Sequence, residues 1–492
     1  MKNLARNATW GASSAAVRAA TGLSIALIAV RLLGGEGYGQ MATLLSLFVV
    51  YLALNSSVFT ILVTRLMRST GAERADLDDD TLSSAIVLTA LSIVVLGVLT
   101  VLLWVAIPSV FSSVARGGDS LNAIRRSVLL MGVLTGLQIM TALHSAIIEA
   151  AGRLDLAMKS QLVGPLSVAI TLFLLFLLKI PVSVTGYLVV LCCGAIVDLF
   201  LLSVVRRRLM PLALSLNFSA EMRREISVLL KSGTTLQAAS LMRVFLEPLN
   251  KFLLTYFSGA LAVTAYDLAM KLIWGIQSFF AGGMRVFLHF ASEQGKRVSD
   301  AFYRAFALVL VPALAMHVVA AVFLAGVVHH WVMIGDAMQI MIFFAVATAS
   351  NLGMIYITPA YISLIGRSDL RFIFRSQSIV AFTNTTASLV LIPFYGLLGA
   401  AFGLLCATAY NVVAIYCRHE RVLGASGGVV AVTRAHSGRF LFTALLFSGA
   451  ILIGSGHIVD AYAVGIILLA IAYILKQEPL WKILYARMRG TE

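Results

Sequence analysis

The sequence predicts an all-α, polytopic membrane protein of about 14 transmembrane helices, arranged as two six-helix repeats plus an extra pair. Three observations carry that expectation. Of 492 residues, 60% are hydrophobic and 12% charged, where ordinary soluble domains run about 25% charged. Apolar segments long enough to cross a bilayer at about 1.5 Å per residue recur from one end of the chain to the other. A loop pattern also occurs twice: Gly152-Arg153-Leu154-Asp155-Leu156 with Ser160-Gln161 returns as Gly366-Arg367-Ser368-Asp369-Leu370 with Ser376-Gln377, and Ile180-Pro181 returns as Ile392-Pro393. The copies fall after the fourth and the tenth expected spans. Repeats of an even number of spans face the same way. Transporters built so commonly hold substrate near the midplane and rock between two open states.

In chain order the expected spans are 12–33, 39–64, 82–106, 124–149, 158–179, 183–205, 233–257, 261–284, 303–327, 338–363, 372–392, 395–417, 439–456 and 460–476. The connections are too short for a separate soluble domain. The lobes divide as 1–205 and 233–420. Between them, 206–232 reads as a cytoplasmic linker carrying Arg206-Arg207-Arg208 and Arg223-Arg224. Residues 421–492 supply the extra pair and a basic tail. No cleavable signal peptide is expected ahead of the first span.

The net charge of +15 invites a nucleic-acid reading, but loop topology accounts for it. With the N-terminus in the cytoplasm, the segments outside the cell membrane hold only Arg31, Arg116, Arg125, Arg126 and Lys179, and almost all other Lys and Arg fall inside. This is the positive-inside bias. It predicts N-in, C-in topology and no nucleic-acid partner. The acidic run Asp78-Asp79-Asp80 reads as a solvated inside loop. The four cysteines, Cys192, Cys193, Cys406 and Cys417, have no metal-ligand spacing and read as small core residues.

Charge inside the spans is sparse and concentrates at 233–285. One arm there carries Arg243, Glu247 and Lys251, spaced by four; the other carries Asp267 and Lys271, also spaced by four. Residues four apart share a helix face. An ionised group at bilayer depth costs roughly 2.5–3.5 kcal/mol on insertion scales, so it is paired or faces water. Counting from the turn at Phe257–Leu261 puts Lys251 level with Asp267 and Glu247 level with Lys271. Rungs across the hairpin are expected, either as structural ion pairs or as the wall of a wet chamber, with Arg243 left for a ligand. Pro248 removes a backbone bond to the Val244 carbonyl, which either kinks this arm as part of a gate or is merely tolerated. Arg31 is the second gate candidate.

Arg18 lies in the first span beside Ser13, Ser14 and Thr21 and reads as a cavity residue or a snorkelling one. Glu149 and Asp198 are either coupling groups for an ion or helix-end residues. His144 and His317 read as hydrogen-bonded packing residues, and His329-His330 with Asp336 lacks a reason for metal geometry. No phosphate-cradling glycine loop or nucleophile–base spacing occurs. An enzyme is not expected, no cofactor is implied, and the motor is an ion gradient, the membrane potential or the substrate gradient.

The chain resembles the bacterial polysaccharide flippases. Asn7-Ala8-Thr9-Trp10 and Ala29-Val30-Arg31-Leu32-Leu33-Gly34-Gly35-Glu36-Gly37-Tyr38-Gly39 are similar to the start of that family. So are Asn250-Lys251-Phe252-Leu253-Leu254 with Tyr266-Asp267-Leu268-Ala269-Met270-Lys271-Leu272, and Pro393-Phe394-Tyr395-Gly396-Leu397-Leu398-Gly399-Ala400-Ala401. Gly35 stands where the family usually has proline, and Asn250 where it has an acid. The resemblance implies the multidrug/oligosaccharidyl-lipid/polysaccharide exporter fold, two six-helix lobes about a V-shaped cavity, in a bacterial inner membrane. It implies as substrate an oligosaccharide on an undecaprenyl pyrophosphate carrier, with the glycosyltransferases and polymerase of the pathway as partners. Arg18, Arg243, Lys251 and Lys271 would counter the pyrophosphate, for which arginine forms bidentate bonds. A lipid II flippase, a cation-coupled drug exporter with an acidic cavity, and a scaffold needing no cavity charge are the other readings.

Overall fold

The computed structural model describes residues 2–69, 79–111, 118–150, 153–209, 246–284, 312–328, 337–366 and 369–423, with isolated positions between 224 and 242. Every regular element among them is helical. α1 is Lys2–Ser69, α2 Asp79–Phe111, α3 Gly118–Ala150, α4 Leu154–Leu177 and α5 Val184–Leu209. α6 is Pro248–Ser258, α7 Ala260–Met284, α8 Pro312–Gly326, α9 Ala337–Gly366, α10 Leu370–Tyr395 and α11 Leu397–Leu423. Eight of the described helices are long and apolar enough to cross a membrane. The protein is a multi-pass membrane protein. The expected thirteenth and fourteenth spans lie outside the described residues, as does most of the linker 206–232.

The two expected first spans form one helical run, α1, broken at a single residue. Gly34 adopts φ 74° and ψ 163°, a conformation open in practice only to glycine. A straight 68-residue helix would run about 100 Å at 1.5 Å per residue, far beyond a hydrocarbon core of about 30 Å. The break therefore does the work expected of a loop at 34–38. The same economy recurs at Gly259 (φ 84°) between α6 and α7 and at Gly396 (φ 52°) between α10 and α11.

The helices cluster in two compact units, one drawn from Ser24–Lys251 and the other from the described residues of Met1–Leu23 and Phe252–Glu492. Within the first, α3, α4 and α5 pack together over Ile148, Ala157 and Leu202. Contact is close because α4 and α5 meet at glycines. A Cβ on Gly194 would stand 2.3 Å from Val168 Cγ2, and one on Gly164 would stand 2.4 Å from Asp198 Cγ. α2 packs on α3, where Arg125 lies over the Trp104 ring at 4.9 Å.

Within the second unit, α9, α10 and α11 repeat that three-helix arrangement over Leu364, Ile373 and Ile415, and α7 packs on α9. The backbone fixes the register of the repeat. Arg153 N–H donates to the Ile148 carbonyl (3.2 Å) and Ala157 N–H to the Arg153 carbonyl (3.2 Å); Asp369 N–H donates to Leu364 (3.1 Å) and Ile373 N–H to Asp369 (3.2 Å). Asp369 thus caps α10 where Arg153 caps α4. Ser160-Gln161 and Ser376-Gln377 share this register, whereas the Gly-Arg-x-Asp-Leu patterns sit two residues out of it. Ile180-Pro181 follows α4, but Ile392-Pro393 lies inside α10. That second match is not structurally equivalent, because α10 continues past the point where α4 ends. In the second copy the Asp369 carboxylate also pairs with Arg418 Nε at 2.7 Å, tying the start of α10 to α11.

Candidate functional site: the charged hairpin and its neighbours

α6 begins at Pro248, after a turn at Leu246-Glu247. Proline costs nothing at the first helical position, where its missing N–H would have no partner, and its fixed φ suits a helix start. Pro248 opens α6 directly after that turn, and Val244, whose carbonyl it is expected to free, lies outside the described residues. Glu247 provides the first helical acceptor, taking the Lys251 N–H at 3.1 Å. Its carboxylate accepts from Lys251 Nζ at 2.7 Å. On α7, Lys271 Nζ donates to Asp267 Oδ2. The i,i+4 spacing lets each arm close a pair of its own.

Burial separates the two pairs. The Lys251 side chain is 8% exposed and that of Glu247 32%. On α7 the basic end is outward: Lys271 is 37% exposed and Asp267 4%. Lys251 is thus sunk among packed side chains, while Lys271 presents its ammonium. The first stretch of α1 lies against α7 one turn beyond Lys271, since a Cβ on Gly275 would come within 3.0 Å of Ala19 Cβ. Arg18, next to Ala19, is exposed. The structure therefore brings Arg18 and Lys271 to neighbouring turns of two packed helices. Arg243 lies outside the described residues. Arg31 is exposed near the Gly34 break.

Of the acidic candidates in the first unit, Asp198 joins two helices directly and Glu149 bonds within its own. Asp198 Oδ1 on α5 accepts the Gly164 N–H of α4 at 2.7 Å. The bond falls beside Pro165, whose ring disturbs the local helical ladder. Glu149 Oε1 accepts from Ser145 Oγ at 3.0 Å, and Ser145 Oγ accepts from Gln161 Nε2 of α4 at 2.6 Å. His317 is fully buried, with Nδ1 bonded to the Ala313 carbonyl.

Uncharged polar residues inside the spans are what sequence reading passed over. Asn351 is buried and bonds to both His317 and the Ile273 carbonyl. Ser376 Oγ donates to Asn411 Oδ1 at 3.1 Å, joining α10 to α11. The available signal was a lone amide or hydroxyl in an otherwise apolar span, which needs a partner on a facing helix.

The family model for polysaccharide biosynthesis proteins matches residues 4–287, more than half of the chain. The chain belongs to this family. The polysaccharide biosynthesis protein described above is similar to a multidrug resistance MATE family transporter of the MOP superfamily in its inward-facing conformation. Their TM-score is 0.68 at 14% identity, over 85% of this chain and 96% of that one. It is similar to the lipid II flippase MurJ in an inward closed conformation, with TM-score 0.63 at 13% identity over 96% of this chain and 97% of that one. A mutant of the Vibrio cholerae MATE transporter VcmN gives TM-score 0.60 at 11% identity, covering 87% and 99%. At such identities the likeness shows the fold. No curated relative matches by sequence.

Proposed function

We propose that this family member flips an oligosaccharide linked to a polyprenyl pyrophosphate, an O-antigen, capsule or exopolysaccharide unit, across the bacterial inner membrane by alternating access. One observation carries the reading beyond a transporter of this fold. The accessible charge on α7 and the α1 turn packed against it is basic, Lys271 and Arg18, while the acid, Asp267, is buried behind its lysine. A pyrophosphate head group needs that polarity, and a guanidinium and an ammonium each offer it charge-assisted donors. A site for cationic drugs would present the acid instead. The enzymes that build and polymerise the glycan are the partners this role calls for.

The test is complementation of a host that lacks its own flippase. The Arg18→Ala/Lys271→Ala double variant should leave lipid-linked oligosaccharide undelivered and remove surface polysaccharide, with protein level unchanged. Arg243→Ala should do the same. Full polysaccharide output from well-expressed double variant would overturn the reading. The similarity to MurJ along nearly the whole chain favours lipid II as the second substrate reading. In that case depletion of the protein lyses cells rather than stripping surface polysaccharide.

A further inference from the structure

Three helices of the second unit meet at one buried polar cluster. His317 on α8 and Asn351 on α9 are 0% and 4% exposed. His317 Nδ1 stands 2.7 Å from the Ala313 carbonyl. Asn351 Nδ2 stands 3.0 Å from His317 Nε2 and 3.1 Å from the Ile273 carbonyl of α7. Ile273 and Asn351 lie midway along their helices.

The donor count has one solution. A carbonyl only accepts, so His317 Nδ1 carries a hydrogen. The Ile273 carbonyl likewise requires the amide nitrogen of Asn351 on its side, which settles an orientation that is otherwise ambiguous. The second amide hydrogen then points at Nε2, which must hold a lone pair. His317 is neutral here, and every partner is satisfied.

A proton on Nε2 reverses that sense. The imidazolium donates from both nitrogens, so Nε2–H faces the Asn351 N–H. Relief requires Asn351 to turn its oxygen to the ring. That turn takes the N–H away from the Ile273 carbonyl and leaves two oxygens facing each other. The bond between α7 and α9 is lost. An unmade bond inside a buried cluster is costly, so the packing of α7 must answer. α7 is the helix that bears Asp267 and Lys271.

The charged groups around the cluster are few. Among the described residues α8 and α9 carry no Asp, Glu, Lys or Arg. α7 carries Asp267 and Lys271, paired to each other. The α1 turn on α7 adds Arg18, and α11, packed on α9, is charged only from Arg418 onward. Among the described residues of α7, α8 and α9 the one carboxylate, Asp267, is paired with Lys271, and Nε2, which accepts a neutral N–H, is the basic nitrogen of the cluster that can take a proton.

We propose that His317 and Asn351 form the proton-binding site that couples translocation to a proton gradient. A proton taken up by Nε2 unlatches α7 from α9, and its release re-latches them. This coupling rests on the transport reading above; the latch itself does not.

The experiment is hydrogen–deuterium exchange on the full chain in lipid nanodiscs across pH 4.5 to 8, corrected for intrinsic exchange, with no substrate present. In the wild-type protein, with the titration carried on to pH 3.5, peptides around Ile273 and Asn351 should exchange at least about tenfold faster at the acid end. His317→Gln offers an acceptor that does not titrate, and should stay protected throughout. Asn351→Asp has no amide N–H for the Ile273 carbonyl and should exchange fast at every pH with no transition, while a wild-type circular-dichroism spectrum shows that it has folded. Equal protection of wild type at both ends, or an unchanged transition in His317→Gln, overturns the latch. That result leaves the flippase reading standing. In cells, well-expressed His317→Gln should lose surface polysaccharide; full output would overturn the coupling. Failure of the wild-type gene to restore polysaccharide would instead sink the flippase reading and leave the exchange result intact.

Discussion

Asp198 shows how a carboxylate can sit inside an apolar helix for reasons of packing. It accepts a backbone N–H from the neighbouring helix beside a proline, and Gly164 leaves just enough room for it. That bond needs an acceptor atom and not a charge. Asp198→Asn should therefore keep both protein level and polysaccharide output. Asp198→Ala strands the Gly164 N–H and should cost about 1–3 kcal/mol, read as a lower melting temperature in detergent. Gly164→Ala should lower it as well, since the new Cβ displaces the carboxylate. Loss of output in Asp198→Asn at normal melting temperature would instead make Asp198 a coupling group. Charges of this kind were legible in the sequence because they are rare in spans. Their partners were not: Asp198 and Gly164 lie on different helices, and only the packed backbone brings them together. The same holds for Asn351, whose two acceptors are on α7 and α8.

Whole helices were far more legible than their ends. A membrane helix must be apolar along its length, so α2 to α5, α7 and α9 to α11 emerge where hydropathy put them. What hydropathy could not show is how little chain a turn needs. Gly34, Gly259 and Gly396 each turn the backbone through a positive φ, with few polar residues to mark the place. Repeat register was hidden for a related reason. Loop side chains drifted while the backbone bonds that end α3 and α9 stayed in step, so the most visible letters sit out of register. Gly34 makes the sharpest test at this scale. Its φ 74° and ψ 163° are closed to any residue with a Cβ, at a cost of order 1–3 kcal/mol. A Cβ there would touch nothing, so Gly34→Ala isolates backbone strain from packing. It should lower thermal stability by about that amount, and an unchanged melting curve would mean that α1 turns by other means.

At the scale of the whole molecule, the distribution of basic residues argues for one orientation. Lys and Arg gather in alternate connections: Arg153 and Lys159, Arg206 to Arg208, Arg367, Arg371 and Arg375, then Arg418 and Arg421. The intervening turns at Gly34, Gly259 and Gly396 are nearly free of them. Basic segments resist translocation and remain in the cytoplasm, which predicts both termini inside and the glycine turns outside. Fusing a reporter active only in the periplasm, at residue 180 or 259, should give activity; fusions at 153, 208 or 367 should give none. The repeat sharpens the prediction. Because α3 to α5 and α9 to α11 are built alike, fusions at 153 and 367 must agree with each other whichever way the protein lies. Opposite signals at those two positions would mean that an odd number of crossings separates the copies, and the two like-facing halves on which alternating access depends would be lost. Agreement with both reporters active would keep the repeat but invert the protein, placing the basic loops where a cytoplasmic lipid-linked precursor is not available.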